Sequence, residues 1–327
     1  MPPQPTRPPY ARAVTRPAHN PVLRRQVADL LCLAQGQTFA DATAGLGGHA
    51  ADAARAVGPA GRIILNDLDP ANLAAATRAV EALGVPVTPI HGNFAALPAE
   101  LARRGIVAHA VLADVGFASN QVDDPTRGLS FSRPGPLDMR LNPASPTSAA
   151  TLVASLSEAE LADLIDRYGE ERHARRVARR IVERRAEQPI QTTDDLAAIV
   201  RSAVGGRSGS IDPATRTFQA LRIAVNDELG NLEAFVDQVR AGAAAAVGVG
   251  PGPRWLHPGA RVAVISFHSL EDRIVKRGFE AAETQGIAAV LTRRPLEAQP
   301  DEIQANPRAR SARLRALEVG PRSTTPE

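Results

Sequence analysis

The chain has a single cysteine, Cys32. That excludes an internal disulfide framework, a cysteine-based zinc cluster and a three-cysteine iron–sulfur site. Aromatic residues make up only 3% of the 327 positions. This is too few for the stacking platforms of RRM or OB-type domains, which need exposed phenylalanine and tyrosine. No apolar run reaches the roughly 18 residues that a membrane-spanning helix requires. Lysine is almost missing as well: Lys276 is the only one among 38 basic residues. With so little titrating between neutrality and the arginine range, a net charge of +3 is enough to set a pI near 9.7. The basic pI is therefore slight evidence for nucleic acid, and local arginine clusters must carry that case. What is present, 44% hydrophobic and 22% charged residues, is the composition of an ordinary globular chain able to bury a substantial core.

Residues 1–21 carry seven prolines and no acid, so residues 1–20 read as a disordered Pro/Arg-rich arm. The arm has no apolar stretch of the secretory kind, and a cytoplasmic location is expected. Beyond it, short apolar runs alternate with helical spacing. Candidate strands are Thr38–Ala42, Arg62–Asp67, Val87–His91 and Ala110–Asp114, with helices near 48–57, 70–83 and 94–104. This β-α-β-α-β-α-β order predicts an α/β fold with a parallel sheet covered on both faces. After Asp114 the pattern becomes purely helical, near 157–168, 170–187, 192–204 and 215–240, until a strand resumes at Arg261–Ser266. The expected organisation is a discontinuous α/β domain of residues 21–135 and 213–318, interrupted by a helical insertion over 136–212, with a flexible tail at 319–327. The Ala/Gly/Pro-rich stretch 241–258 reads as a mobile surface loop, and Cys32 as a core residue.

The first strand runs into Asp41-Ala-Thr-Ala-Gly45-Leu-Gly47-Gly48-His49, a glycine-rich turn opening a helix. Glycines let the backbone approach a ligand, and the helix start offers free N–H donors. Asp67 ends the second strand, where a carboxylate can accept both hydrogen bonds of a ribose diol. Gly45-x-Gly47-x-x-Ala50 also fits the dinucleotide fingerprint, which keeps an NAD-dependent oxidoreductase open. Asp41 favours S-adenosylmethionine (SAM), because an acid at the end of the first strand repels dinucleotide phosphates and suits a cationic amino group. Phe94, after the third strand, can lie against adenine or serve as a core aromatic. Asp114, ending the fourth, falls at the switch-point crevice where substrate meets cofactor.

Further blocks carry a resemblance. Asp67-Leu-Asp-Pro70, Arg127-Gly-Leu-Ser-Phe131, Gly135-Pro-Leu-Asp-Met-Arg140, Tyr168-Gly-Glu-Glu171, Pro213-Ala-Thr-Arg-Thr-Phe-Gln-Ala-Leu-Arg-Ile223, Ser266-Phe-His-Ser-Leu-Glu-Asp272 and Asn306-Pro-Arg-Ala-Arg-Ser311 follow in order. Together with the turn, the chain resembles the bacterial 16S ribosomal RNA cytosine-N4 methyltransferase (MraW) family from His19 almost to its end. The resemblance implies a class I SAM-methyltransferase (Rossmann-like) sheet with an inserted all-helical substrate domain. It implies SAM contacts at Gly47, Gly48, His49, Asp67, Phe94, Asp114 and Gln121, S-adenosylhomocysteine as product, no required metal, and cytosine 1402 of the decoding centre as target. The partner implied is 16S rRNA or the 30S subunit, with no membrane, for a monomer or homodimer. Ala118, Leu68, Leu129 and Asn142 depart from the family pattern and bear on fine substrate contacts.

Cytosine's amine is a poor nucleophile because its lone pair conjugates into the ring, and an acceptor beside it turns that pair outward. Asp114 is the catalytic candidate. Cytosine C5 chemistry would need a thiolate, and Cys32 lies away from the fourth-strand motif. Arg127, Arg140, Arg216, Arg222, Asn226, His268, Arg308 and Arg310 are candidate RNA-binding residues, with Asp138, Gln219 and Ser269 as further pocket or domain-junction positions and no metal partners evident for His268. Two arginine runs are candidate phosphate contacts: Arg172 to Arg185 on one helix, and Arg308, Arg310, Arg313 and Arg315. A noncatalytic ribosome-assembly factor is the reading from a different class. Thermal unfolding separates the cofactors: SAM or S-adenosylhomocysteine at ~100 times its Kd should stabilise by about 2.7 kcal/mol, and NAD should have no effect.

Overall fold

The computed structural model describes residues 21–117, 119–205, 212–252 and 254–321, without the side chains of residues 119 and 120. The expected arm at 1–20, the family departure at Ala118 and residues 322–327 of the expected tail lie outside it. In chain order the elements are α1 (Arg24–Leu31), β1 (Thr38–Asp41), α2 (Gly48–Val57), β2 (Arg62–Asp67), α3 (Pro70–Glu81), β3 (Val87–His91), α4 (Leu97–Arg103), β4 (Ala108–Asp114) and α5 (Ser119–Asp123). The helical block follows as α6 (Ala149–Ser155), α7 (Glu158–Gly169), α8 (Ala174–Glu187), α9 (Thr193–Val204) and α10 (Ala214–Asn226). The chain then returns through α11 (Glu228–Ala246), β5 (Leu256–Ser266), α12 (Ser269–Thr284), β6 (Ala288–Val290), β7 (Leu296–Glu297), α13 (Pro300–Ala305) and β8 (Arg313–Val319).

The strands form one sheet in the order β3-β2-β1-β4-β5-β8-β6, with β7 also paired to β8. β1 to β5 run parallel, and β8 lies antiparallel between β5 and β6. Successive side chains of a strand point to opposite faces, and both faces here are apolar. Ala40, Ile64, Val111 and Val264 meet α11 and α12 through Leu232, Phe235, Val275 and Phe279. Phe39, Ile63, Leu65, Leu112 and Ile265 meet α1, α2 and α3 on the other side. This two-sided burial is why β2 and β4 read as unbroken apolar runs.

Several expectations need correction. The boundary at residue 213 falls too early: Phe218, Leu221 and Val225 of α10 are buried in the helical cluster with Leu161, Ile165 and Val177. The apolar stripe of α10 packs on α7 rather than on the sheet. The single helix expected over 215–240 breaks at Asp227, which takes a left-handed conformation (φ 48°) and both ends α10 and precedes α11. Asx residues tolerate that conformation, and the apolar spacing runs on across it without a mark. Nor is 241–258 a loop throughout. α11 continues to Ala246, and the buried Trp255 occupies the space that a Cβ on Gly242 would need, its indole N–H donating to the Gln238 carbonyl at 3.3 Å. Val319 belongs to β8, paired with Ala288, and not to a tail. Cys32 is exposed and caps α1 in a left-handed conformation (φ 45°).

No helix among the described residues is long and apolar enough to cross a membrane. Phe235 is fully buried and meets the ring of Phe94 edge-on at 5.6 Å, which couples the core beneath α11 to the end of β3. Phe235→Ala should cost about 3–5 kcal/mol of stability, read as a fall in the urea midpoint.

Candidate methyl-donor and base cleft

A cleft of about 490 Å³ opens where β1, β2, β4 and β5 end, roofed by residues of α10 and α11. It lies at the point where the strand order reverses, the crevice in which parallel α/β sheets bind ligands. Its floor begins with the glycine turn. Gly47 has φ 84°, and a Cβ there would come within 2.8 Å of the Ala76 Cα, so only glycine lets α2 approach α3 this closely. Gly48 and His49 open α2 at the cleft wall, where the first helical N–H groups have no partner within the helix.

Three predicted acids meet in this cleft. Asp67 accepts the backbone N–H of Gly45 at 2.7 Å and of Asp69 at 2.8 Å, yet burial pushes its carboxyl up to about 6. Asp41 is 1% exposed. Burial raises it to about 8, against the hydrogen bond from the Thr43 N–H, and the charges of Asp114 and Asp67 add to the rise. Asp114 is raised to about 7 by burial and then by the nearby charge of Glu271. Its Oδ1 is buried with no hydrogen-bond partner. Three buried carboxyls held above their usual range form a site short of positive charge.

Phe94 and Gln121 also line the cleft, so all seven residues implied as SAM contacts gather here, Gly47 through the turn itself. Two residues that the sequence did not single out support the site, Asn66 in the wall and Asp69 behind it. Asn66 donates to the carbonyls of Ala42 and Gly92 at 2.9 and 3.0 Å, tying three strand ends together, while its Oδ1 is buried and unpartnered. Asp69 caps α3 through the Ala71 N–H and receives Arg127 at 2.6 Å and Gln121 at 3.3 Å. Burial opposes its ionisation, but these hydrogen bonds prevail and hold it below the usual range. The signal for Asp69 was the Asp-x-Asp-Pro cap pattern ahead of a helix.

The other half of the cleft holds Phe117, Arg222, Glu228, Phe267, His268 and Glu271. His268 caps α12 in a capping box with Glu271. Contrary to the expectation that His268 has no metal-ligand neighbours, its ring and the carboxylates of Glu228 and Glu271 offer atoms within 4.8 Å of one another. Arg222 already binds both oxygens of Glu228 and so competes with any cation for that carboxylate.

The candidate RNA contacts separate. Asn226 clamps α10 to the loop ahead of α6: it accepts the Leu141 N–H and donates to the carbonyls of Met139 and Arg222, each within 2.9 Å. Arg127 serves Asp69, and Arg140 forks onto Asp138 and closes its own loop onto the carbonyls of Pro143 and Ser145. Arg216 donates to the Glu170 carbonyl, and Gln219 to that of Tyr168. The Glu170 carboxylate accepts Ser269, which makes Ser269 a domain-junction residue. Arg308 stands at the cleft wall paired with Asp123 at 2.7 Å, and Arg310 is exposed. On α8, Arg176, Arg179, Arg180, Arg184 and Arg185 all bond to protein groups; Arg175 on α8 and Arg172, which falls in the turn before the helix and not on it, are exposed without a partner among the described residues. Arg315 leaves the second run: it is buried against Asp272.

Six parallel strands, one antiparallel strand inserted before the last of them, and a glycine turn beside acidic strand ends define a class I methyltransferase. The chain belongs to the MraW methylase family, which matches residues 16–319. It is 45% identical over 318 residues to ribosomal RNA small subunit methyltransferase H of Sorangium cellulosum, covering 97% of this chain and 93% of that protein. It is 44% identical over 310 residues to the protein of that name from Acidobacterium capsulatum, covering 93% and 99%. The oxidoreductase and noncatalytic readings fall with this assignment.

A carboxyl raised in the fold stabilises it fully below its unfolded value near 3.8, and that contribution is lost as pH rises through the folded value. Ligand-free protein should therefore weaken between the usual carboxylate range and pH 8. Asp41→Asn should melt above the parent at a pH above 8, with the gap closing toward acid in scanning calorimetry.

Proposed function

We propose that this methyltransferase uses SAM to methylate the N4 amine of a cytosine in 16S ribosomal RNA, at the decoding-centre position numbered 1402. The observation that carries the reading is the trio of buried acids, Asp41, Asp67 and Asp114, opening onto one cleft with two orphaned acceptors on Asn66 and Asp114. Such a donor-hungry, cation-hungry cleft fits a ligand bearing a ribose diol, an ammonium and a sulfonium. Asp67 holds the ribose diol, Asp41 the ammonium, and Gly47, Gly48 and His49 the backbone turn around them, with Phe94 and Gln121 closing the sides.

When bound, SAM supplies a methyl group electrophilic enough to need no metal. The protein's share is alignment and exclusion of water. Asp114 accepts a hydrogen bond from the target amine, turns its lone pair out of conjugation, and takes the proton released. The base reaches this depth by leaving its stack. The named relatives supply the small-subunit RNA, and exposed Arg172, Arg175 and Arg310, with Arg308 at the rim, contact phosphates of the 30S particle. The enzyme works in the cytoplasm as a monomer or homodimer.

The test is nucleoside mass spectrometry of 16S RNA from a deletion strain. N4-methylcytidine at the target should vanish, return with the parent gene, and stay at least tenfold reduced with Asp114→Asn. That variant should bind SAM in calorimetry with a far smaller loss. Retention of the modification in the deletion strain would overturn the reading.

A further inference from the structure

The two ends of the target base pose different problems. Asp114 can meet its amine, but an acceptor alone does not tell cytosine from adenine, nor fix the ring in plane. Cytosine's remaining edge carries two acceptors, N3 and O2, so a second residue must present a pair of donors.

Arg222 has the required form. Its Nε and Nη2 donate to the two oxygens of Glu228 at 2.7 and 2.8 Å. Its guanidinium lies over the ring of Phe117, 4.5 Å from the centroid. Both members of the ion pair are largely enclosed, at 16% and 14% exposure, and both line the cleft. The fork and the ring fix the guanidinium on two sides. A guanidinium has five N–H donors, of which Glu228 takes two. The rest have no protein acceptor among the described residues. Phe117 stands three residues beyond Asp114 in the same strand-end loop, which ties the guanidinium to the acid.

We infer that Arg222 orients the target base, donating from its free edge to N3 and O2 while the amine faces Asp114. This deepens the cytosine-N4 reading and rests on it. Uracil presents an N–H at N3 and meets the guanidinium donor to donor, and adenine has a C–H where O2 would be. Glu228 has a second effect. By partly neutralising the guanidinium it lets Arg222 bond the ring without drawing electron density from the amine as a lone cation would. Lysine could keep the charge and a bond to Glu228 but not the planar pair of donors.

The test is a cycle between protein and base. The parent enzyme and Arg222→Lys are compared in single-turnover methylation of 30S subunits carrying cytosine or 3-deazacytosine at the target. The 3-deaza base lacks the N3 acceptor, yet its amine is the more nucleophilic, so a slower reaction reports a lost contact and not lost reactivity. In the parent, the 3-deaza base should lower the efficiency roughly 10- to 100-fold. Arg222→Lys should lose a similar factor on cytosine and almost nothing further on the 3-deaza base. SAM affinity by calorimetry should be unchanged in the variant. Equal 3-deaza penalties in both proteins, or full activity of Arg222→Lys on cytosine, would overturn the assignment. If Arg222→Lys does not fold, the parent alone decides, since insensitivity to the 3-deaza base also overturns it. Failure of the parent to methylate ordinary cytosine would sink the parent reading instead.

Discussion

Everything at the strand ends follows from burying carboxylates that form no ion pair among the described residues. Asp41, Asp67 and Asp114 sit at the C-terminal ends of three adjacent parallel strands, where the sheet leaves little water. Their hydrogen bonds come mainly from backbone N–H groups and do not offset the cost of desolvation, so all three are pushed toward the neutral form. Such a site carries a deficit in the free protein that a positively charged ligand relieves, and binding energy is concentrated there as a result. The same deficit favours a ligand that carries a cationic centre over one that has lost it.

A second design element keeps the cleft open. The helical insertion has its own core and meets the sheet domain through polar pins rather than a broad apolar seam. Glu170 after α7 accepts Ser269 and Arg273 of α12, Arg222 of α10 forks onto Glu228 of α11, and Asn231 of α11 donates to the Asn226 carbonyl at 3.1 Å. Polar pins set a separation as well as an orientation, because each has a fixed length. An apolar contact in their place would tend to collapse the cleft that they hold open.

Much of this was legible in the chain itself. Strand β2 has the expected bounds, and the acids at the ends of β1, β2 and β4 were visible as charged residues closing apolar runs. What escaped was whatever local periodicity does not encode. The turn at Asp227 lies inside an unbroken apolar spacing. The antiparallel β8 carries arginines that break its apolar pattern, and its pairing with β5 is fixed only by contacts far along the chain. The arginines were the least readable of all. Their spacing on α8 matched a phosphate-binding face, but acid partners such as Glu183 and Glu187, together with backbone carbonyls, occupy most of them. Glu228 and Asp69 were overlooked because each acts by holding another side chain, and a partner in space leaves no trace in linear order.

The position of β8 bears on how the molecule comes into being. This strand follows β5, β6 and β7 in the chain, yet it lies between β5 and β6 and not at the sheet's margin. The segment just before it, with Asn306, Arg308 and Ser311, forms part of the cleft wall. As the polypeptide leaves the ribosome, β5 must wait with one edge unpaired until β8 emerges. The nascent protein is therefore unable to complete this cleft before the segment from Asn306 through β8 has been translated.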